Sequence, residues 1–430
     1  MVMASMSRRP TFNAPGLRDR VKALRQVDNA RSLACLAREY ACLAAVIGGA
    51  VLFVESREAW GLSRWWNVPV IAAAIVLVGA LQHRLAGIAH EASHFALLRE
   101  KRVNDLAADL FCLFPLLSTI HFYRVFHLAH HQYTNDPDRD PDLQNLGPGK
   151  RSEEFPMPRA RLLVTIYLAP LSAPLAFLRY QWAYVAVTIL GIGKNVYVDR
   201  AGGGEGRAPL RRGTALGLSY VIGLVAALWV LHAVGRTAWL PAAGAIGLGA
   251  ALAVLAMLPA RALYRSPLRQ PYGTRAAAAA RLAYLTAAIV ALGLLTAETG
   301  GKAAGYGMLL WFVPMGTSFM YFMYLRDVYQ HSNADAGPLT NSRVFFCDPF
   351  SRWAVFVYGQ GMHVPHHLFP AIPHHQLPRL HQLLMREHPD YARQVVECHG
   401  TFANRNGRPT ILDVLTTPPA DEWAGPRPLG

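Results

Sequence analysis

FYRVFHLAHHQYTNDPDRDPD, residues 122–142, is the stretch from which we predict the fold of this chain. It places His127, His130 and His131 in the spacing HxxHH. On an α-helix, positions i, i+3 and i+4 lie on one face. The three imidazoles would therefore point into one small volume, and imidazole is the commonest metal-ligating side chain. The spacing predicts a metal site, and a histidine-rich surface turn is the alternative for this cluster taken alone.

Two further histidine boxes, one on each side of this stretch, make the surface-turn alternative difficult to sustain. HEASH begins at residue 90 and HVPHH begins at residue 363, while a predicted helix ends in DVYQH at residue 331. So many histidines in spaced groups are hard to explain as packing. The histidines of the three boxes and of DVYQH are His90, His94, His127, His130, His131, His331, His363, His366 and His367.

The composition indicates a polytopic membrane protein. Hydrophobic residues make up 53% of the 430 residues and charged residues only 16%. The net charge of +15 fits cytoplasmic loops beside anionic lipid headgroups. A nucleic-acid partner is not expected, because no zinc finger, basic helix beside heptads or aromatic RNA-binding motif is present. The five cysteines form no CxxC pair, so neither a disulfide framework nor a thiolate metal site is predicted.

Six apolar runs are predicted to cross the membrane: 41–54 with an extension over 33–36, 68–89, 213–233, 238–258, 282–297 and 306–326. The loop after the fourth run is rich in arginine, which places it in the cytoplasm by the positive-inside rule. The chain starts without an apolar core of signal-peptide length. Both termini are therefore expected in the cytoplasm.

The apolar segment 162–192 is interrupted by Pro170, Pro174 and Arg179. We predict that it lies in the plane of the membrane. An even number of crossings then separates the boxes, so all the histidines lie on the cytoplasmic side, as a shared site requires.

These observations predict an all-α fold: a membrane helical bundle of about six spans with a cytoplasmic, histidine-rich cap. Residues 1–38 are predicted to be a basic cytoplasmic arm. Residues 39–331 would form the membrane domain, with the first two boxes on its cytoplasmic side. Residues 332–430 would form the cap, with the third box and a C-terminal tail. The glycines at 202–204 are expected in a flexible loop. The aspartates of 136–142 are expected to cap helices and turn the chain.

The first box also matches HExxH, the zinc protease signature in which Glu91 would be the general base. Such a site needs one further protein ligand and a water, so it leaves both HxxHH boxes unexplained. A metal transporter is a second alternative. It would place polar residues within the spans, whereas these histidines lie at span ends.

The segments around the boxes resemble the membrane fatty acid desaturase family, of the acyl-lipid type. The resemblance is close over 85–145 and 320–385, and it is carried by HEASHFALLREKRVNDLAADLF, FHLAHHQYTNDPDRDPDL and HVPHHLFPAIPHHQLPRLHQLL. It implies two iron ions held by the nine histidines, O₂ as co-substrate and a cis double bond introduced into an acyl chain. A lipid or carotenoid hydroxylase or ketolase is the alternative, because the same oxidant can return oxygen to the carbon.

The resemblance also bears on the surroundings of the ligands. The HxxxH spacing of the first box, shorter than that of acyl-CoA desaturases, favours a membrane-lipid or carrier-bound acyl substrate. Ligating imidazoles usually donate their second N–H to a partner, and the candidate partners are Glu91, Asp109, Asp138 and Asp327. Asp327 stands where acyl-CoA desaturases have an asparagine. Pro365 predicts that His363 lies before a helix opened by His366 and His367.

No fused electron donor is visible in the sequence. It has no HPGG haem motif, no cysteine set for an iron–sulfur cluster and no dinucleotide fingerprint. We therefore expect a separate ferredoxin-like or cytochrome b5-like donor, steered by the basic surface. The richness in Ala, Arg and Gly is typical of a GC-rich bacterial genome. A multi-pass protein of the bacterial inner membrane, with its active site facing the cytoplasm, is expected.

Overall fold

The computed structural model describes residues 16–146, 154–198, 210–264, 266, 268–403 and 407–418. The glycine loop predicted at 202–204, and the outer parts of both termini, lie outside these residues. The described chain is mainly helical, and its two short strands, β1 (Val344–Phe346) and β2 (Glu397–His399), pair in parallel. The prediction of an all-α fold is confirmed.

Six helical segments of the described chain are long and apolar enough to cross a membrane: Asn29–Ser56, Arg64–Ser93, Arg212–Ala233, Thr237–Met257, Thr274–Glu298 and Lys302–His331. The predicted number of spans is confirmed. The first of them begins well before the apolar run, because Asp28 caps it by accepting from the Arg31 N–H at 3.1 Å. The predicted boundary at residue 38 therefore falls inside a continuous helix.

The helices are numbered in chain order: α1 Leu17–Ala23, α2 Asn29–Ser56, α3 Asn67–Ser93, α4 Lys101–Ala108, α5 Ile120–Tyr133, α6 Pro141–Asn145, α7 Arg159–Leu162, α8 Ala169–Ser172, α9 Pro174–Thr188, α10 Arg212–Ala233, α11 Leu240–Met257, α12 Thr274–Glu298, α13 Lys302–Gly307, α14 Val313–Gly316, α15 Ser318–His331, α16 Pro349–Ala354, α17 His363–Leu368, α18 Leu377–Glu387, α19 Pro389–Gln394 and α20 Ile411–Thr416. Short π-helical turns join several of them, at Asp109–Leu113, Leu163–Tyr167 and Met308–Phe312. Single 3₁₀ turns lie at Arg64–Trp66, Thr237–Trp239, Ala260–Ala262, Val357–Gly359 and His374–Gln376.

The segment 162–192 is divided between α7, a π-helical turn, α8 and α9. Its longest helix, α9, has 15 residues, fewer than the roughly 20 that a membrane crossing needs. Tyr180 of α9 donates from its hydroxyl to Asp327 of α15 at 2.8 Å. The segment thus packs beside the helix that carries His331.

The third box departs from the sequence prediction. α17 begins at His363, so His363 lies inside the helix and the prediction that it precedes the helix was wrong. Pro365 is only the third helical residue. Because the first four N–H groups of a helix have no acceptor within it, a proline there removes no intrahelical hydrogen bond.

The centre of the bundle is the crossing of α3 and α15. From Val78 onward every residue of α3 is buried, as expected for a helix surrounded by other elements. The closest approach is at Gly79, where a Cβ would lie 2.0 Å from Ser318 Oγ and 2.6 Å from the Phe319 backbone N. Only glycine allows the two helices to meet at this distance.

A larger side chain at this crossing should separate the helices. We expect Gly79→Ala to lower the free energy of unfolding by about 1–3 kcal/mol, the usual cost of overpacking. Thermal unfolding of the detergent-solubilised protein measures it. Gly249→Ala in α11 is the control, because nothing lies within 4 Å of a Cβ there. Equal melting temperatures for the two variants would contradict the close crossing.

Candidate metal centre

The structure brings all nine predicted histidines together, from the ends of α3 and α15 and from α5 and α17. They form two groups, and within each group the ligand atoms lie within 4.8 Å of one another. The five-histidine group is His90, His94, His127, His131 and His366; the four-histidine group is His130, His331, His363 and His367. Both groups draw on α5 and α17, so neither can assemble without the second and third boxes.

In the five-histidine group the Nε2 atoms face one another. His127 Nε2 lies 2.9 Å from His94 Nε2 and 2.9 Å from His131 Nε2. His366 Nε2 is 3.1 Å from His131 Nε2. Four imidazole nitrogens from three separate elements therefore converge on one volume.

The Nε2 atoms of the four-histidine group also face one another. His363 Nε2 lies 2.8 Å from His331 Nε2 and 3.0 Å from His367 Nε2. The His367 ring stacks on His131 of the other group with 4.2 Å between centroids. The two groups are therefore immediate neighbours, as a pair of metal ions in one centre would need.

The protonation state of these rings suits metal binding. Burial, followed by the neighbouring imidazoles, holds the pKa of His94, His127 and His131 well below the usual range. The rings are neutral at pH 7 and keep a lone pair. Both ring nitrogens of His90 are buried without a hydrogen-bond partner in the described residues, which costs free energy. A metal ion would take up such a nitrogen, and imidazole suits iron, zinc, copper and nickel.

Three of the nine rings are oriented through their Nδ1 atoms. His130 Nδ1 lies 3.1 Å from Asp140 Oδ1, and His331 Nδ1 lies 3.0 Å from the Asn341 carbonyl oxygen. His367 Nδ1 lies 3.1 Å from the Thr134 hydroxyl. Such contacts set the tautomer and leave Nε2 free to bind a metal ion.

Asp140 was missed, and Asp138 is not where the sequence prediction put it. Asp138 is exposed in the turn, whereas Asp140 is 1% exposed, contacts His130 and caps α6. The expectation that this acidic loop caps helices thus accounts for Asp140 too. A signal was present in the sequence, because an aspartate directly before a proline at the first helical position is typical of an N-cap.

Glu91 and Asp327, two further residues predicted to accept from the histidine rings, differ in their contacts. Glu91 Oε1 lies 3.6 Å from His90 Nδ1, and Glu91 Oε2 accepts from the His374 backbone N–H at 2.7 Å. Asp327 pairs with Arg326 at 3.0 Å and lines a cavity of about 40 Å³ beside both histidine groups.

Asp109 acts on the start of α5. It accepts from the Ile120 N–H at 2.6 Å and from the Tyr272 hydroxyl. Burial raises the pKa of Asp109 to about 7, against the effect of these hydrogen bonds. It thereby positions the helix that carries the second box.

Arg124, which sequence reasoning also missed, ties the end of α3 to α5. It is 2% exposed, and it donates to the carbonyl oxygens of Ala92 and Ser93, both at 2.9 Å. Asp105 neutralises it, with Nη1 to Oδ2 at 2.6 Å. The last carbonyls of α3 have no partners within the helix, so this arginine fixes the turn that presents His94.

Removal of one ligand from either group should reduce bound metal. We expect His94→Ala and His363→Ala each to lower the iron content of the purified protein, because each takes a central nitrogen from one group. His232→Ala, at an exposed position of α10, should leave it unchanged. Inductively coupled plasma mass spectrometry measures the stoichiometry, and full iron content in both ligand variants would contradict the assignment.

The Asp140 contact can be tested with a matched pair of variants. Asp140→Asn should weaken metal binding by roughly 10- to 100-fold, because the partner that orients His130 loses its charge. Asp138→Asn, two residues away and exposed, should have no effect. Chelator competition gives both affinities. Equal affinities would show that Asp140 only caps α6.

Comparison of the sequence with known proteins identifies a matching family and several relatives. The sequence model of the fatty acid desaturase family matches residues 63–265 and 244–399. The chain is 33% identical over 159 residues to the dihydrorhizobitoxine desaturase of Bradyrhizobium elkanii, which covers 36% of this chain and 41% of that protein.

Two shorter matches are also to desaturases. The Delta 8-(E)-sphingolipid desaturase of Komagataella phaffii is 27% identical over 84 residues, which is 20% of this chain and 15% of that protein. The sn-1 oleoyl-lipid 12-desaturase of Anabaena variabilis is 30% identical over 83 residues, which is 19% of this chain and 23% of that protein. The chain spans less than half the length of each of these relatives. Because the family model matches more than half of the chain, the chain belongs to the fatty acid desaturase family, a family of oxidoreductases.

Proposed function

We propose that the protein is an oxygen-dependent desaturase that introduces a cis double bond into an acyl chain of a membrane lipid. The observation that carries this proposal is the convergence of nine histidines into two adjacent groups of five and four. A zinc protease needs three protein ligands and a water. Both histidines of HEASH instead belong to one five-histidine group, which favours a two-metal centre.

The residues fit a pair of iron ions. The five-histidine group would hold one ion and the four-histidine group the other. When bound, the two irons would supply the activation of dioxygen and the oxidising power to remove hydrogen from an unactivated chain. Imidazole binds a metal as a neutral ligand, so nine histidines would leave the positive charge of the metals largely uncompensated within their ligand set.

The chain's own groups orient the ligands and enclose the space beside them. Asp140 holds the His130 ring, and the carbonyl of Asn341 holds His331. The adjoining cavity of about 40 Å³ is bounded by Tyr123, Phe126 and Met323 together with ligand histidines. These bulky side chains limit the access of water, which protects an oxidising site from side reactions.

The membrane setting supports a lipid substrate. The described chain has six helices able to span a bilayer, and the histidine groups lie at the ends of two of them. Two of the relatives are named for a sphingolipid and an oleoyl-lipid, and one is named for dihydrorhizobitoxine. A carrier-bound acyl chain remains within the proposal.

The location and the electron donor form part of the same proposal. The arginine-bearing loop between α11 and α12 supports a cytoplasmic position for the centre, by the positive-inside rule. We place the protein in a bacterial inner membrane with its active site facing the cytoplasm. Two electrons per reaction would come from a separate ferredoxin-like or cytochrome b5-like protein, attracted by the net charge of +15.

Mass spectrometry of lipids tests the reaction. The intact protein, His367→Ala and the control His232→Ala are expressed with an active electron donor in a host without desaturases. We expect acyl chains lighter by two hydrogens with the intact protein and the control, and none with His367→Ala. Chains heavier by one oxygen would instead indicate hydroxylation. No change in any lipid would refute the acyl-lipid proposal and direct the search to carotenoids and polar small molecules.

A further inference from the structure

Two short turns of the cap pack on one face of α3, next to the five-histidine group. The turn at Val357–Gly359 reaches α3 at Gly87, where a Cβ would lie 2.6 Å from Cγ2 of Val357. The turn at His374–Gln376 reaches α3 at Glu91. Because Glu91 follows Gly87 by four residues, both contacts lie on one helix face. The two turns therefore meet α3 one helical turn apart.

Glu91 is the residue of α3 that connects the second turn to the histidines. It is 3% exposed, and a buried carboxylate needs partners. Its Oε2 accepts from the His374 backbone N–H at 2.7 Å and lies 3.3 Å from His374 Nδ1. Its Oε1 lies 3.6 Å from Nδ1 of His90, a member of the five-histidine group. One carboxylate thus stands between His374 and a ring that would hold a metal ion.

The His90 ring needs such a partner more than its neighbours do. Three other rings of the centre have partners for Nδ1 within 3.1 Å, whereas both nitrogens of His90 are buried without a hydrogen bond in the described residues. Its ring packs against His127 and His366, with 4.6 and 4.5 Å between centroids. Because Nδ1 is the nitrogen near Glu91, Nε2 is the one left for a metal ion.

His374 is fixed by the other turn. Its ring meets the Tyr358 ring edge to face, with 5.1 Å between centroids. Tyr358 has φ 47° and ψ 55°, a left-handed conformation that costs a non-glycine residue free energy and persists only where its surroundings impose it. The Tyr358 hydroxyl donates to Glu39 at 2.5 Å, and Glu39 pairs with Arg84 of α3 at 2.7 Å. The ring behind His374 is therefore held by a buried ion pair.

The charge of His374 strengthens its contact with Glu91. Burial lowers the pKa of His374, but hydrogen bonding to Cys35 and Glu91 raises it by more, to about 9. The ring is therefore protonated at pH 7, and Nδ1 carries a hydrogen that it can donate to the carboxylate. Hydrogen bonds between ionised groups are roughly twice as strong as neutral ones.

We propose that His374 is a positioning residue for one of the two metal sites. It fixes the Glu91 carboxylate, and Glu91 orients the His90 ring so that Nε2 is presented to the five-histidine group. The four-histidine group has a separate support in Asp140. Docking of the His374 turn on α3 therefore completes one metal site and leaves the other unaffected. The inference rests on the proposed metal centre, and it does not depend on which reaction the centre performs.

Chelator competition with iron(II), under anaerobic conditions and on the full-length protein in detergent, tests this role. His374→Leu should weaken the binding of one of the two ions by roughly tenfold or more, as expected when a residue that orients a ligand is lost. The other ion should be unaffected, because His90 belongs to one group only. His375→Leu, at a half-buried position of the same turn, is the matched control and should leave both affinities unchanged.

A double-mutant cycle separates positioning from general destabilisation. Glu91→Gln should weaken the same ion, because the partner of His90 loses its charge. If His374 acts through Glu91, the double variant should bind that ion no more weakly than Glu91→Gln alone, whereas independent effects would add. His374→Gln keeps a side-chain donor and should retain most of the affinity. It also replaces His374→Leu in the cycle if the leucine variant does not fold.

Three results would overturn the role of His374: additive losses in the double variant, an equal loss of both ions in His374→Leu, or unchanged affinities in that variant. Each of them would leave the metal centre and the desaturase proposal standing. Fewer than two ions bound to the intact protein would instead refute the two-metal centre, and this inference with it.

Discussion

Nine imidazole rings meet at the ends of α3 and α15 and along α5 and α17, and each ring brings polar nitrogens into a buried volume. Such nitrogens cost free energy unless they are hydrogen-bonded or ligate a metal. Water could hydrogen-bond to these nitrogens if the helices moved apart. Other contacts must therefore hold the helices together around the cluster. The close crossing at Gly79 and the buried ion pair between Arg84 and Glu39, at 2.7 Å, provide that support between α2, α3 and α15.

Buried arginines also stabilise the helix ends that carry His94 and His331. Arg124 donates to the last carbonyls of α3, and Arg343 donates to the Tyr329 carbonyl of α15 at 3.2 Å. Free carbonyls at a helix end need partners. Because these partners are side chains from other parts of the chain, the position of His94 depends on α5 and that of His331 depends on the segment after α15 that carries Arg343.

Two cavities of the described chain differ in the side chains that line them. The one beside the histidines combines charged groups, Asp327 and Arg326, with the bulky side chains of Tyr123, Phe126 and Met323. The other, of about 150 Å³ between α10 and α12, is lined mostly by apolar side chains. Helix α5 contributes to both, with Phe122 in the wall of the apolar cavity and Tyr123 in the wall of the cavity beside the histidines.

Much of this architecture follows from the sequence alone. The six apolar helices and the HxxHH spacing are local properties, since hydropathy over one helix length and periodicity within one turn need no distant contact. The start of α17 at His363 and the choice of Asp140 over Asp138 were decided by tertiary structure, although a cap signal for Asp140 was present. Tertiary structure alone also decided that the nine histidines divide into a group of five and a group of four. His130, for example, groups with His331 and His367 rather than with its neighbour His131, because its side of α5 faces α15 and α17 in the assembled bundle.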